Sequence, residues 1–299
     1  MRVFLMVAAS LLAVPAAAQE HPATQAAPAG DEDIIVRGDK DRNAATRGYV
    51  RDLVVLNGTD PIARFDKTVL CPGVAGLNAA MSAAITARMR RVAEAANIPL
   101  AEPGCRTNAL VIIAPDKAEV ITELRRHHPG YFRDGTGEMV VIPKQTGPTT
   151  AWHLGGYIDR TGQPASYDGD TRIWTVTTSI TPSRLSATVR PVFFASVVVI
   201  EREAVIGLTT TQVADYAAMR TFAGVDPARL THTSAPTILT VIDAAPDALV
   251  SPTLTQWDLA YLRALYAIPA QHYGQRQRTE IRRRMIDELD KADPDPAGS

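Results

Sequence analysis

An α+β domain, built as a mixed sheet packed by helices with a helical C-terminal third, is the fold class this sequence predicts, on three observations. Apolar residues recur three and four apart through 77–97 and again through the last third, which is the period of an amphipathic helix. Short runs rich in Val and Ile, at 109–114 and 188–201, have instead the length and composition of strands. With 46% hydrophobic residues over 299 positions, the chain can also bury a sizeable core.

In chain order, Met1-Arg2 precedes an apolar run from Val3 to Val14 and then Pro15-Ala16-Ala17-Ala18. A basic start, apolar middle and small-residue end make a secretory signal peptide, 1–18, cleaved after Ala18 so that Gln19 becomes the N-terminus. The run is shorter than the roughly 20 apolar residues that cross a bilayer, so the mature chain is expected in the periplasm or secreted. Residues 19–47, rich in Ala, Pro, Asp, Glu and Arg, read as a disordered linker and 293–299 as a disordered tail, which leaves 48–292 as one domain.

Thr46 is the expected N-cap of a helix through Leu56, followed by the turn Asn57-Gly58-Thr59-Asp60-Pro61 and an extended run over 62–70. The 77–97 helix should bury Leu77, Met81, Ala84, Ile85, Met89, Val92 and Ala96, turn Arg88, Arg90 and Arg91 to water, and end at Pro99. A buried strand over 109–114 and a helix over 116–127 come next. Residues 130–148 read as turns around a short strand at 139–142, and 152–164 as a loop or hairpin. Strands are expected at 172–180 and 188–201, with Pro191 confining the first half of the latter to an edge or bulge. Helices over 209–222, 254–267 and 275–292 complete the chain.

Charge and motifs exclude more than they assign. There are 31 Lys and Arg against 32 Asp and Glu, and losing Arg2 with the leader leaves 30 against 32, a balance unsuited to bulk binding of nucleic acid or anionic lipid. The two cysteines, Cys71 and Cys105, lie in Pro/Gly-rich contexts with no further Cys or His at zinc spacing, so in an exported chain they are expected to pair. The histidines His21, His127, His128, His153, His232 and His272 show no pair one helical turn apart, and neither a Gly-x-Ser-x-Gly elbow nor a Ser-x-x-Lys is present. Gly155-Gly156, Gly135 and Gly137 read as turns rather than phosphate cradles. Arg276, Arg278, Arg282, Arg283 and Arg284, interleaved with Glu280, Asp287 and Glu288, read as a solvated helix face.

Two resemblances add expectations. The strip Asp31-Glu32-Asp33-Ile34-Ile35-Val36-Arg37-Gly38 resembles the TonB box of outer-membrane receptors, with Arg37 where a threonine is usual; it implies a β-prone segment able to add to a partner's sheet edge in the envelope. Over 189–267, a strand ending Val197-Val198-Val199-Ile200-Glu201 precedes a helix with Thr211, Gln212, Asp215 and Tyr216, then Pro236-Thr237-Ile238-Leu239-Thr240, then Leu254-Thr255-Gln256-Trp257-Asp258 and its helix. That order is similar to the end of metzincin-like zinc peptidases and of DUF2927-type exported proteins. It implies a zincin-like scaffold, here degenerate: Thr211, Gln212 and Asp215 stand where such peptidases have His, Glu and His, and Thr221 where the third ligand falls. One carboxylate beside an amide and hydroxyls does not hold zinc. What the resemblance leaves is a polar groove at Thr211, Gln212, Asp215 and Tyr216, without metal or other cofactor.

The function expected from all this is non-catalytic: a binding or envelope-associated domain of an exported protein. The alternative is a hydrolase or peptidase whose site, around His153, Asp159 or Asp215, no spacing reveals.

Overall fold

A computed structural model describes residues 39–292, apart from 67–68, 143–145, 177–182 and 246–247. Residues 1–38, which hold the expected leader 1–18, most of the expected linker and the strip containing Asp31, Ile34, Ile35 and Val36, and residues 293–299, the expected tail, therefore lie outside the described residues. The described residues fall in a single compact unit.

In chain order the elements are α1 (Asp39–Leu53), β1 (Pro72–Ala75), α2 (Ala79–Ala95), β2 (Ala109–Ala114), α3 (Lys117–His127), β3 (Thr149–Asp159), β4 (Ser166–Asp168), β5 (Ile173–Thr175), β6 (Val189–Glu201), α4 (Thr210–Phe222), α5 (Gln256–Ala267) and α6 (Gly274–Ala292). The fold is α+β. Four strands form one sheet in the order β1-β2-β6-β3, with β1, β2 and β6 parallel and β3 antiparallel to β6. β4 and β5 make a separate two-stranded hairpin inserted between β3 and β6.

Strand alternation sorts side chains to two faces. Val111, Ile113, Val198 and Ile200 join the main core, which α1, α2, α4, α5 and α6 cover. Ile112, Ala114, Val197 and Val199 face the other way, against Phe132, Trp152 and the Val120, Ile121 and Leu124 side of α3. Each such aliphatic side chain removed from water stabilises by about 1.5–3 kcal/mol before entropy is counted.

Helix starts follow their caps. Asn78, Asp116, Thr209 and Thr255 each accept a backbone N–H of the first turn of α2, α3, α4 and α5, and the last two close reciprocal capping boxes with Gln212 and Asp258. α1 is the exception. It begins inside the stretch read as linker, so Thr46 is no N-cap but a buried mid-helix residue whose Oγ1 donates to the Arg42 carbonyl at 2.8 Å. Packing holds the helix: Tyr49, Val50 and Leu53 are buried, and Arg42 pairs with Asp290 of α6 at 2.6 Å.

Other expectations change too, and Met81 and Ala84 of α2, expected inside, are exposed. Residues 139–142 form no strand; Met139 makes a lone bridge to Arg133. The described residues of the run at 62–70 have their backbone used one residue at a time: Arg64 O accepts from Phe193 N at 2.9 Å, Ile62 N donates to Gln277 Oε1 at 2.6 Å, and Leu70 makes a lone bridge to Leu100. Arg88, expected in water, ion-pairs with Asp215. Gly155-Gly156 is not a turn but the middle of β3, where the register slips past Phe194 as a bulge. Pro191 sits in the half of β6 that β2 does not reach, so there it spoils no ladder bond on that side.

Two hairpin turns share one recipe. Asp134-Gly135-Thr136-Gly137-Glu138 and Asp159-Arg160-Thr161-Gly162-Gln163 each use the Asp Oδ1 to accept the N–H and hydroxyl of the Thr two residues on. Gly137 and Gly162 then take φ of 82° and 95°, which closes the turn. Cys71 and Cys105 are joined in a disulfide with Cα atoms 6.1 Å apart. No described helix is long and apolar enough to cross a membrane.

Candidate functional site

The residues singled out by the zincin-like order all lie on or beside α4, where the strand-helix-turn-helix succession is β6, α4, a short helical turn at Ile238–Thr240, and α5. Their side chains are already committed. Asp215 is fully buried and accepts from Arg88 Nε at 2.7 Å, Arg88 Nη2 at 2.9 Å, Thr253 Oγ1 at 2.7 Å and Leu254 N at 2.6 Å. That bonding raises the Arg88 guanidinium above its ordinary pKa. Gln212 spends its Oε1 on Thr209 N at 3.0 Å and its Nε2 on the Ser251 carbonyl at 3.0 Å. Tyr216, buried and raised in pKa by desolvation, shares a hydrogen bond with Thr149 Oγ1 at 3.0 Å and accepts from Arg220 at 3.1 Å. Thr221 Oγ1 turns back to the Ala217 carbonyl at 2.7 Å, and Thr211 is half-exposed.

The expected groove at Thr211, Gln212, Asp215 and Tyr216 is thus a packed helix whose polar groups bond inward, three of them in three directions. Asp215 does not face solvent as it would on an ordinary amphipathic helix, because Arg88 from α2 neutralises it. No cluster of three or more His, Cys, Asp or Glu suited to a metal ion occurs among the described residues.

Asp159 and His153, the other sequence candidates, are not brought to Asp215. The Asp159 carboxylate is the hub of its turn, and hydrogen bonds from the Thr161 hydroxyl and nearby N–H groups hold its pKa below the usual carboxylate range. His153 stands on β3 opposite Ser196 of β6, packs on Phe193 with ring centres 4.2 Å apart, and bonds the Thr221 carbonyl through Nε2 at 3.2 Å. Burial pushes its pKa down to about 4, so it is neutral at pH 7. Ser196 Oγ is buried with no hydrogen-bond partner, so serine and histidine do not form a nucleophile–base pair.

His153 nevertheless borders a recess. A cleft of about 340 Å³ runs over the β3–β6 ladder, bordered by Tyr157, Tyr167, Trp174 and Phe193, with Asp134 and Glu138 on its rim. A second, of about 240 Å³, continues from the shared residues Ala63, Tyr157, Pro191 and Phe193 toward Asp60, Leu53 and Tyr261. Tyr157, Tyr167 and Trp174 are each partly exposed. Trp174 lies 5.1 Å from Tyr157 and 5.2 Å from Tyr167 between ring centres, inclined by 57° and 53°. Tyr157 OH donates to Asp60 Oδ2 at 2.9 Å, and burial with that carboxylate raises its pKa to about 12, which keeps it a phenol.

The bulge glycines, Gly155 and Gly156, line this recess. A Cβ on Gly156 would lie 2.6 Å from Phe194 Cε2, and one on Gly135 would lie 2.8 Å from the same atom, so the ring, the 134–138 turn and β3 meet only because both are glycine. Sequence reading missed the cleft because its aromatics come from four strands; the repeated Asp-x-Thr-Gly turn, once after β3 and once against it, was the available signal. Comparison of the chain with protein-family models, curated proteins and solved structures gives no significant match.

Proposed function

We propose that this chain is an exported, disulfide-stapled binding domain, on a scaffold derived from a zincin-like ancestor, whose ligand enters the cleft above β3 and β6. One observation carries the reading: the recess is walled by partly exposed aromatic rings and carboxylates, while the helix that the resemblance makes the zinc site has its carboxylate bound to Arg88. Concave, largely aromatic surface with a few polar groups is what small-ligand recognition uses. Cys71–Cys105 supports a place outside the cytoplasm, where disulfides persist.

Three measurements test it. Mass spectrometry of the protein recovered from the envelope should find Gln19 at the N-terminus; an intact Met1 in a cytosolic form removes the export claim. Elemental analysis after dialysis should give far less than one zinc per chain, and chelator-sensitive peptidase activity would overturn the non-metal reading. Ligand-observed NMR with a fragment mixture should show aromatic or polar fragments that bind the wild type and are lost on Trp174→Ala; fragments retained equally by that variant would place binding elsewhere.

A further inference from the structure

We propose that the cleft recognises a quaternary ammonium group of a small molecule, an inference that rests on the binding reading above and names its ligand class. Three aromatic side chains in mutual contact line it. Trp174 packs on both Tyr157 and Tyr167, and the inclinations of 57° and 53° mean that it is coplanar with neither, so the rings do not form one flat platform. A sugar ring stacks best on a flat face, whereas a tetrahedral cation gains from several inclined faces at once, each presenting the negative side of its quadrupole.

Charge points the same way. Asp134 and Glu138 border the first cleft and Asp60 the second, and no Lys or Arg is among the described residues that line either. Three arginines adjoin lining residues in sequence and none is in the lining: Arg133 is tied to the Gly137 carbonyl at 2.6 Å, Arg190 to Asp66 at 2.6 Å, and Arg64 to the Ile268 carbonyl at 2.8 Å. His153, the remaining basic residue of the wall, bonds the Thr221 carbonyl and is packed on Phe193, so it adds no positive charge at neutral pH. Asp134 commits Oδ1 to its own turn, through Thr136, and Glu138 is exposed. A negative rim above aromatic faces repels phosphates and carboxylates and attracts cations. Trimethylammonium chemistry suits it better than a primary ammonium, because methyl groups match the apolar surface of Val192, Pro191 and Phe193 and demand no hydrogen-bond acceptor.

Calorimetric titration of the full mature chain with choline tests this, run beside the neutral isostere in which tert-butyl replaces trimethylammonium, and beside an N-acetylglucosamine trisaccharide. Choline should bind about tenfold tighter than its isostere, the ratio a partly desolvated cation–π site supplies. Trp174→Ala should weaken choline by about tenfold while Trp174→Phe recovers part of the loss, and Glu138→Gln should weaken it several-fold at low salt only. Equal binding of choline and isostere, indifference to Trp174→Ala in a variant whose melting is unchanged, or no binding of choline at all would overturn the proposal. Binding of the trisaccharide alone would overturn it too, while leaving the binding-domain reading intact. Failure of that reading is seen separately, in fragments that ignore Trp174.

Discussion

Asp258 is the residue on which the closing helix turns. Its carboxylate, fully buried, accepts from Tyr49 OH at 2.7 Å, Thr237 Oγ1 at 2.6 Å, Ile238 N at 2.9 Å and Thr255 N at 3.0 Å, so one side chain ties α1, the 237–240 turn and the start of α5. Burial together with that carboxylate raises the Tyr49 phenol well above its ordinary pKa. Asp258→Ala strands four donors at about 1–3 kcal/mol each before relaxation, so urea denaturation should show a loss of about 3–5 kcal/mol; Asp258→Asn, keeping one acceptor, should lose about half. The Leu254-Thr255-x-x-Asp258 pattern behind the resemblance thus has a structural cause that needs no catalysis. Asp215→Ala should behave similarly, leaving Arg88 without its buried partner, and should leave metal content unchanged. His153 gives a pH signature. Its folded pKa of about 4 lies below the ordinary 6.5, so the unfolded chain binds the extra proton between those values and stability must fall as pH drops from 6.5 toward 4. The slope should be worth on the order of 2 kcal/mol, less than the full shift because the ring is partly exposed at the cleft, and His153→Phe should flatten it in urea titrations across that range.

At the scale of elements, legibility followed the locality of the cause. α2, α3, α4, α5 and α6 are plain in the sequence because Asn78, Asp116, Thr209 and Thr255 announce four of their starts and α6 buries Gln277, Ile281, Met285 and Leu289 at helical spacing. β2 is equally plain, an apolar run with no turn residue inside it. α1 and β3 were misread for non-local reasons. The first turns of α1 are tied to α6, far along the chain, and β3 is buried on both faces over its first half and then crosses two glycines, so it shows neither alternation nor a glycine-free run. The candidate site was the least legible, since Tyr157, Tyr167 and Trp174 meet only through tertiary folding of three strands. The bulge at Gly155-Gly156 carries a testable consequence. Gly156→Ala places a Cβ 2.6 Å from the Phe194 ring, which must swing outward against the 134–138 turn. The expected cost is about 1–3 kcal/mol, with ligand-observed NMR reporting weaker fragment binding at the cleft while far-UV circular dichroism is unchanged.

For the whole molecule, what no local pattern encodes is the order of strands: β6, last in sequence, lies between β2 and β3, so the sheet is complete only after nearly all of the chain up to residue 201 has been placed. Such non-local pairing is entropically expensive to establish, and the disulfide acts on that term. Cys71–Cys105 links residues 34 apart, closing the β1–α2–β2 crossover at its open end. In the folded state the same junction is already held without it: Cys71 N donates to Asn108 Oδ1 at 2.7 Å, Asn108 N to Cys71 O at 3.0 Å, and Asn108 Nδ2 to Val69 O at 2.9 Å. These bonds fix the register in which Pro72 lies beside Ala109, whether or not the sulfurs are joined. The bridge therefore adds little to the native contacts and acts chiefly by restricting the unfolded chain, for which a loop of this size is worth about 3–4 kcal/mol in the chain-entropy model. The reduced protein, and the Cys71→Ser/Cys105→Ser double variant, should keep the far-UV spectrum and the same cleft binding. Both should melt on the order of 10 °C lower, with a shallower barrier to full unfolding in urea. Asn108→Ala in the reduced background should then do what reduction alone does not, releasing β1 from β2, visible as faster amide exchange at Val74 and Val111. A reduced protein that has already lost its β-sheet signal would show instead that the bridge, and not Asn108, holds the edge of the sheet.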